Sequence, residues 1–308
     1  MAYQIIDQTP DGTPDICISM LTYNHGKYIT DALQGILSQN TAYSYKIVLA
    51  DDFSTDNTRQ LLLEFQKKHP SLIKLILQDK NVGAAGNNSV LHEHIEGKYV
   101  AALEGDDYWT EPDKLQKQVD FLEKNQEYSM CFHNVTEKFE DFKTERAFDH
   151  LEQREYTSTE LVNGWVVPTV SVVYRKFPDL FIKDDRILFG DISLFLQLSK
   201  HGRMFCFVTQ RPMAVYRRFQ GSATNKAYNV DYIKRLLRHN EFLNDHFGTE
   251  IMSTIRKNSF ELNFILFYKI FPKRESFVFL KKSFRNSDNF LWDVLLFFYR
   301  NLRRKFSS

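Results

Sequence analysis

The sequence is poor in the residues that build disulfide frameworks and zinc sites. Its 308 residues include three cysteines, Cys17, Cys131 and Cys206, which are widely spaced and form no C-x-x-C pair. An odd and dispersed set of cysteines argues against a disulfide scaffold and against a structural zinc site. It is typical of a protein from a reducing, cytoplasmic compartment.

Signals for secretion and for membrane spanning are missing too. No apolar run approaches the roughly 20 residues that a bilayer-spanning helix needs. The N-terminal residues lack the basic and apolar regions of a signal peptide. We therefore expect a cytoplasmic protein, and a peripheral position at the inner face of the cell membrane stays open.

Several catalytic signatures are absent as well. The histidines form no H-E-x-x-H motif, no serine stands in a G-x-S-x-G elbow, and no P-loop occurs. Residues 83–86 (GAAG) lack the full G-x-G-x-x-G pattern and follow the third predicted strand, whereas a dinucleotide fingerprint follows the first. These absences exclude metallopeptidase and serine hydrolase chemistry and argue against a dinucleotide cofactor.

What the sequence does have is an uneven distribution of charge. The net charge is +1, but residues 230–308 carry 15 Lys and Arg against 8 Asp and Glu. A basic C-terminal region predicts contact with an anionic partner such as a membrane surface, although a solvated basic helix face would give the same count. No nucleic-acid partner is predicted.

Short apolar runs alternate with helical patterns in the first part of the chain. Buried strands are predicted at residues 16–21, 45–50, 74–77 and 99–103, and helices at 27–39, 58–68 and 88–96. The alternation predicts an α/β fold with a doubly wound, mostly parallel sheet. Such sheets bind ligands at the carboxyl ends of their strands, and polar clusters stand at three of these ends.

The pattern is less regular in the second half of the chain. We predict a helix at residues 114–124, a loop over 137–160, a strand over 166–174, a helix at 191–200, a strand at 203–208 and helices from about 230. Pro168 indicates that the strand at 166–174 lies at a sheet edge or bends.

The turn after the fourth strand, Glu104-Gly105-Asp106-Asp107, crowds three carboxylates together. Such carboxylates repel one another unless a cation neutralises them, and Mg²⁺ and Mn²⁺ prefer oxygen ligands and substrate phosphates. Asp106 is therefore a candidate ligand for a cation that also binds a diphosphate. The alternative is a structural turn in which Asp107 caps the following helix.

Two other acidic positions allow two interpretations each. Asp51 and Asp52 end the second strand, where a carboxylate would accept a hydrogen bond from uracil or form a turn with Asp56 or Ser54 as a helix cap. Asp191 begins a helical pattern. It is either an N-cap of that helix or a general base that takes a proton from an acceptor hydroxyl. A helix N-terminus would lower the pKa of Asp191 and weaken it as a base.

Four segments, taken together, resemble glycosyltransferase family 2. They are residues 18–24 (ISMLTYN), 47–58 (IVLADDFSTDNT), 81–83 (NVG) and 99–109 (YVAALEGDDYW). The resemblance is strongest over residues 14–125 and extends to about 225. It implies the GT-A fold and an inverting single displacement, in which an acceptor oxygen attacks as a nucleoside diphosphate leaves.

The resemblance also assigns roles to residues. It implies a nucleotide-sugar site formed by Thr22, Tyr23, Asn24, Asp51, Asp52, Asn81, Gly83, Asn87, Glu104 and Asp107. Asp52 would select uracil, which favours a UDP-sugar donor. Asp106 would bind Mn²⁺ or Mg²⁺, with Glu104 standing in place of the first Asp of the family's D-x-D motif. Asp191 would be the catalytic base.

The sequence departs from the family pattern in its later part. Relatives often carry a histidine after the Arg of the segment at residues 216–219 (YRRF), where this chain has Phe219, so a third protein ligand for the metal is missing there. Arg217 or Arg218 is expected to grip the diphosphate instead. The Q-x-x-R-W motif of processive members is absent, which predicts single addition.

The implied organisation is a GT-A domain at residues 1–228, with a nucleotide-sugar half at about 14–108 and an acceptor half at about 109–228, and a helical basic region at 229–308. The acceptor would be a glycan or a lipid-linked sugar in surface polysaccharide assembly. Residues 290–306 combine apolar and basic side chains. They would lie at a membrane surface, pack on their own domain or contact a second copy in a homodimer.

Two other functions compete with sugar transfer. A catalytically inactive nucleotide-sugar binding module is disfavoured by the intact set of Asp52, Asp106 and Asp191. A sugar-phosphate nucleotidyltransferase usually has a Gly-rich loop with a basic residue at the end of its first strand. Residues 21–24 (LTYN) do not offer one.

Overall fold

The computed structural model describes residues 2–148, 150–164, 166–219, 229–271, 273, 275–287, 289, 293–294 and 297. The chain forms two compact units. The first comprises Met1–Lys183 and Leu194–Asn225, and the second comprises Asp184–Ser193 and Lys226–Ser308. The second unit therefore includes a segment, residues 184–193, that the predicted boundary at 228 and 229 assigns to the first domain.

The first unit contains two sheets. Its described strands are β1 (Tyr3–Ile6), β2 (Ile16–Thr22), β3 (Tyr45–Asp51), β4 (Ile73–Gln78), β5 (Tyr99–Glu104), β6 (Tyr108–Trp109), β7 (Tyr128–His133), β8 (Thr136–Phe139), β9 (Thr144–Ala147), β10 (Glu155–Tyr156), β11 (Val173–Arg175), β12 (Arg203–Phe207) and β13 (Ala214–Arg218). The larger sheet has the order β1-β4-β3-β2-β5-β11-β7-β12-β10, and the smaller has the order β6-β13-β8-β9. As predicted, β4, β3, β2 and β5 run parallel.

Helices connect many of these strands, and helices also occur in the second unit. The described helices are α1 (Ile29–Leu37), α2 (Thr58–Lys68), α3 (Gly83–Glu93), α4 (Lys114–Lys124), α5 (Ser158–Asn163), α6 (Gly190–His201), α7 (Val230–Ile270) and α8 (Ser276–Arg285). Strands β2 and β3 are buried almost throughout, because helices cover both faces of a parallel sheet and favour continuous apolar runs. Helix α1 buries Ile29, Leu33 and Ile36, which recur at helical spacing.

The register of the parallel strands brings three strand ends together. Thr22 at the end of β2 pairs with Asp51 at the end of β3. On the other side of β2, Leu21 pairs with Glu104 at the end of β5. The polar clusters that follow these strands therefore lie at one edge of the sheet, where doubly wound folds bind their ligands.

The structure differs from the predicted secondary structure in three segments. Helix α3 begins at Gly83, so the expected Gly-bearing loop at 81–86 includes its first turn, whose small residues carry no apolar periodicity. The predicted loop at 137–160 includes β9 and β10 and overlaps β8 and α5. Strand β9 escaped detection because all four of its residues are exposed and show no apolar alternation.

The third difference concerns the predicted strand at 166–174. Pro168 precedes a 3-10 turn, Thr169–Ser171, and the strand that follows is the short β11. β11 lies inside the sheet, antiparallel to both β5 and β7, and not at an edge. The proline stands outside the strand, so it removes no hydrogen bond from the sheet.

The second unit is helical in its described part. Phe279 of α8 packs against a buried cluster of α7 formed by Ile233, Leu262 and Leu266. Arg186 forms ion pairs with Asp184 and with Asp245 of α7. Within the described ranges, no helix is both long and apolar enough to cross a membrane.

Candidate active site

The turn after β2 is fastened to the turn after β3. Asn24 has a left-handed backbone with φ of 55°. Its side-chain oxygen accepts a hydrogen bond from the Thr55 backbone N–H at 2.8 Å, and its own backbone N–H donates to Ser54 Oγ at 2.9 Å. Asn24 therefore positions the loop, while its neighbour Tyr23 is 44% exposed at the sheet edge.

At the end of β3, the two aspartates have different surroundings. Asp51 is fully buried and accepts hydrogen bonds from the Ser54 hydroxyl and from Arg59 Nε, the latter at 2.8 Å. Asp52 accepts a hydrogen bond from the Val82 backbone N–H at 2.7 Å. Burial raises the pKa of the Asp52 carboxyl, and hydrogen bonds from the Val82 and Gly83 backbone partly offset that rise. Asp51 is thus held by Ser54 of its own turn and by Arg59, whereas neither Ser54 nor Asp56 is the N-cap of α2, which is Asn57 and forms no side-chain cap bond.

The residues around the start of α3 lie beside Asp52. Exposed Asn81 donates from its side-chain amide to the Asp52 carbonyl at 3.2 Å. Gly83 has φ of +77°, and a Cβ there would meet no other described atom within 4 Å, so its backbone faces open space. Asn87, in contrast, is buried and bonded to Gln78 Nε2 and to the Ala50 carbonyl. Its side chain therefore supports the sheet.

The acidic turn after β5 separates its carboxylates. Glu104 is exposed, whereas Asp106 and Asp107 are buried. Asp107 accepts a hydrogen bond from the Arg217 backbone N–H at 2.7 Å and does not cap α4. Burial raises the pKa of the Asp107 carboxyl well above its usual range, and the charges of Asp106 and Glu104 act in the same direction.

Asp106 has one side-chain oxygen without a hydrogen-bond partner among the described residues. This oxygen, Oδ1, is buried. The other oxygen, Oδ2, lies 3.9 Å from Nε2 of His25, a residue of the turn that follows β2. Nine other buried side-chain atoms of the described residues also lack a partner, so the open oxygen of Asp106 points to a ligand because it lies where doubly wound sheets bind theirs.

Arg217 is enclosed by protein groups. Its guanidinium donates to the Asp106 carbonyl at 2.8 Å, to Glu140 at 2.8 Å and to Asp31 of α1. The same group lies 4.4 Å from the centre of the Tyr108 ring. With 3% exposure, Arg217 braces the acidic turn in this structure, and its predicted grip on a diphosphate would require these bonds to break.

The fold brings His25, a residue that no sequence motif marks as part of the site, beside the acidic turn. The carbonyl of His25 accepts the N–H groups of Tyr28 and Ile29 at 2.8 Å, which fixes the residue at the start of α1. Its position directly after Tyr23-Asn24, at one of three converging strand ends, was the signal that could have identified it.

The side chains of this turn do not by themselves form a complete set of metal ligands. Among the described residues, no three His, Cys, Asp or Glu side chains are grouped closely enough to hold one. The orphaned oxygen of Asp106 nonetheless fits a cation that takes one or two protein carboxylates and completes its shell with substrate phosphates, as Mg²⁺ commonly does.

Asp191 belongs to the second unit, near the start of α6. Its Oδ1 accepts a hydrogen bond from the next backbone N–H, that of Ile192, at 2.8 Å. Burial raises the pKa of the Asp191 carboxyl, and backbone hydrogen bonds only partly offset the rise. The backbone at the helix N-terminus acts in the expected direction, but desolvation outweighs it, so the net shift of this pKa is upward.

Comparison with known proteins identifies the class of this chain. The family model for glycosyl transferase family 2 matches residues 17–179, more than half of the sequence. The chain belongs to this family, as its motifs predicted.

Relatives by sequence include two bacterial proteins. An uncharacterized protein of Mycobacterium tuberculosis is 34% identical over 212 residues, which cover 68% of this chain and 61% of that protein. The putative teichuronic acid biosynthesis glycosyltransferase TuaG of Bacillus subtilis is 33% identical over 109 residues, 35% of this chain and 42% of that protein. The chain thus spans less than two thirds of the length of these relatives.

Solved structures share the fold. Staphylococcus aureus TarS, in a crystal structure with UDP-GlcNAc, has a TM-score of 0.59 at 17% identity, covering 88% of this chain and 89% of that chain. The mannosyltransferase PcManGT of Pyrobaculum calidifontis, in complex with GDP-Man and Mn²⁺, has a TM-score of 0.50 at 16% identity, covering 94% and 80%. The predicted GT-A fold is confirmed.

Proposed function

We propose that this chain transfers a sugar from a nucleotide diphosphate donor to an acceptor hydroxyl in polysaccharide assembly, with inversion at the anomeric carbon. One observation carries the proposal: a buried, unpaired oxygen of Asp106 stands where β2, β3 and β5 end together. The family supports sugar transfer, and relatives such as TuaG support polysaccharide synthesis as the setting.

The donor would lie along these strand ends. Tyr23 and the open backbone at Gly83 would border the nucleotide, and Asp52 would accept the uracil N–H, which favours a UDP-sugar. TarS with UDP-GlcNAc supports this donor class, and PcManGT with GDP-Man keeps a guanosine donor as the alternative outcome.

Asp106, assisted by Glu104 on its longer arm, would hold Mn²⁺ or Mg²⁺. A bound cation would offset the charge that develops on the departing nucleoside diphosphate. Asp107 would face the sugar. We assign Arg217 to positioning, because its guanidinium braces the Asp106 carbonyl and its backbone N–H binds Asp107.

Asp191 would accept the proton of the acceptor hydroxyl as that oxygen attacks the anomeric carbon. Its raised pKa suits this task, because a base works best when its pKa approaches the working pH. Asp191→Asn should lower transfer by about 10²–10⁴-fold and leave donor binding unchanged. Unchanged transfer would exclude Asp191 as the base.

Calorimetry with UDP- and GDP-sugars and Mn²⁺ tests the donor, and NMR of the product's anomeric signal tests the inversion. Donor binding followed by transfer to a glycan or lipid-linked sugar, with inversion, is expected. Binding without any transfer would instead establish the inactive binding module, and product with retained configuration would contradict the single displacement.

We also propose a peripheral membrane contact in the second unit. The predicted segment, residues 290–306, lies largely outside the described residues. The neighbouring helix α8 exposes Phe277 and Phe284, at 54% and 52%, beside the basic side chains of Lys281 and Lys282. An apolar strip with adjacent positive charge fits an anionic lipid surface. Flotation with anionic vesicles should weaken in Phe277→Ser/Phe284→Ser but not in Phe142→Ser, which changes an exposed phenylalanine of the first unit.

A further inference from the structure

Three buried polar atoms around Gly105 lack partners. Thr22 Oγ1, His25 Nδ1 and Asp106 Oδ1 find no hydrogen bond among the described residues. Each such atom costs about 1–3 kcal/mol when it is left unsatisfied, so three in one place mark a cluster whose hydrogen bonding is incomplete.

The geometry around Gly105 holds two of these atoms in position. A Cβ on Gly105 would stand 2.8 Å from His25 Nδ1 and 2.8 Å from Thr22 Oγ1, so only glycine leaves room for both. The imidazole is therefore packed against the acidic turn on its Nδ1 side. Its other nitrogen, Nε2, faces Asp106 Oδ2 at 3.9 Å.

We propose that His25 Nε2 is a second protein ligand of the cation that Asp106 would hold, an inference that rests on the proposed function. Ligand atoms about 2.1 Å from one ion lie at most about 4.2 Å apart, so the 3.9 Å separation of Nε2 and Oδ2 is compatible with one shared ion.

The arrangement would satisfy all three orphaned atoms at once. Both Nδ1 and Thr22 Oγ1 stand 2.8 Å from the position of a Gly105 Cβ. A rotation of the imidazole that brings these two atoms within hydrogen-bond distance would let Nδ1–H donate to Thr22 Oγ1 and leave the lone pair of Nε2 for the metal. Histidine ligands are commonly oriented by such a hydrogen bond from their other nitrogen. Asp106 Oδ1 would gain the ion, or a water bound to it, as its partner.

This assignment accounts for the departure at Phe219. Phe219 offers no ligand atom, and its ring lies 5.2 Å from that of Tyr28 in α1. A histidine at the end of β2 would replace the missing distal ligand. Mn²⁺ and Mg²⁺ both suit oxygen ligands, but Mn²⁺ is a transition-metal ion and accepts an imidazole nitrogen more readily than Mg²⁺ does, so His25 would also favour Mn²⁺ over Mg²⁺.

Electron paramagnetic resonance of the full chain with Mn²⁺ and UDP, or GDP in parallel, tests the proposal without any turnover. Pulsed measurements should detect coupling of Mn²⁺ to an imidazole nitrogen. In His25→Gln this coupling should vanish, and Mn²⁺ affinity should fall by at least about tenfold while Mg²⁺ affinity changes little. Thr22→Val, which keeps the ligand but removes its acceptor, should weaken Mn²⁺ binding by less.

The matched control is His94→Gln, which changes a half-buried histidine of the same unit that contacts Tyr3. It should retain the nitrogen coupling. Nucleotide-bound Mn²⁺ without nitrogen coupling in the unchanged protein would overturn the inference alone and leave His25 as a neighbour of Asp106 that does not bind the metal. Absence of any Mn²⁺ or nucleotide binding would overturn the metal-dependent function together with it.

Discussion

The ends of β3 and β5 carry the same chemical signal, a pair of adjacent aspartates, but the fold treats the two pairs differently. Asp51 is saturated by Ser54 and Arg59, and Asp52 is bonded to the backbone at Val82. At β5, Asp107 is bonded to the Arg217 backbone, but one oxygen of Asp106 is left buried and unpaired within the described chain.

This difference in hydrogen bonding distinguishes a structural carboxylate from one that can bind a ligand. A buried carboxylate whose acceptors are filled stabilises the fold, because removing it would strand its donors. A buried carboxylate with an empty acceptor destabilises the unliganded fold and is retained where a ligand supplies the missing partner. The end of β3 is thus mainly structural, and the end of β5 is where we place the cation.

The largest expected effect comes from Asp106. Asp106→Asn removes the negative charge opposite the developing charge of the leaving group, so transfer should fall by about 10²–10³-fold. The stability of the unliganded protein should not decrease, since no hydrogen bond to Oδ1 is lost among the described residues. Initial rates with saturating donor check this, with exposed Asp79→Asn as the control. Full activity in EDTA would refute the metal role.

Arg217 comes next and distinguishes a brace from a diphosphate ligand. Arg217→Met removes bonds to Asp106, Glu140 and Asp31, so the free energy of unfolding should drop by about 3 kcal/mol. Urea unfolding of the unliganded protein measures it. The stability of Arg217→Lys should lie between that of the unchanged protein and that of Arg217→Met. Arg211→Met, which changes an exposed arginine, should alter stability little. Lost UDP affinity with unchanged stability would restore the diphosphate role.

Sequence patterns identified the three strand ends because buried parallel strands produce continuous apolar runs. They also gave the bounds of α2 and α4, where apolar residues recur at helical spacing. They could not give the role of Arg217. Its position beside Asp107 depends on the pairing of β13 with β6, between segments far apart in the sequence.

His25 was missed for the same physical reason. A single histidine in a loop carries no periodic signal, and its distance to Asp106 is set by the register of β2 against β5. The state of each carboxylate was equally hidden, because donors to Asp51 and Asp107 come from Arg59 and from the Arg217 backbone through tertiary contacts.

A smaller effect, opposite in kind to that of Asp106, is expected at Asp51. Asp51→Asn keeps the shape but weakens the charged hydrogen bond to Arg59, so the free energy of unfolding should fall by about 1.5 kcal/mol. Donor affinity should stay close to that of the unchanged protein once the variant is folded. Urea unfolding and calorimetry with UDP measure the two quantities. A large loss of UDP affinity at full stability would move Asp51 from the scaffold into the site.

The smallest effect concerns the pH dependence of stability at Asp107. Because burial raises its pKa, the folded state disfavours the ionised carboxyl, so stability decreases as the pH rises from about 3.8 through the raised pKa. Asp107→Asn keeps an acceptor for the Arg217 N–H and has no charge to desolvate. The metal-free variant should therefore gain stability relative to the unchanged protein at pH 8, and this gain should shrink towards pH 4. Urea unfolding at both pH values measures it, and a gain that grows at low pH would show that Asp107 is stabilised as a charged scaffold group, like Asp51.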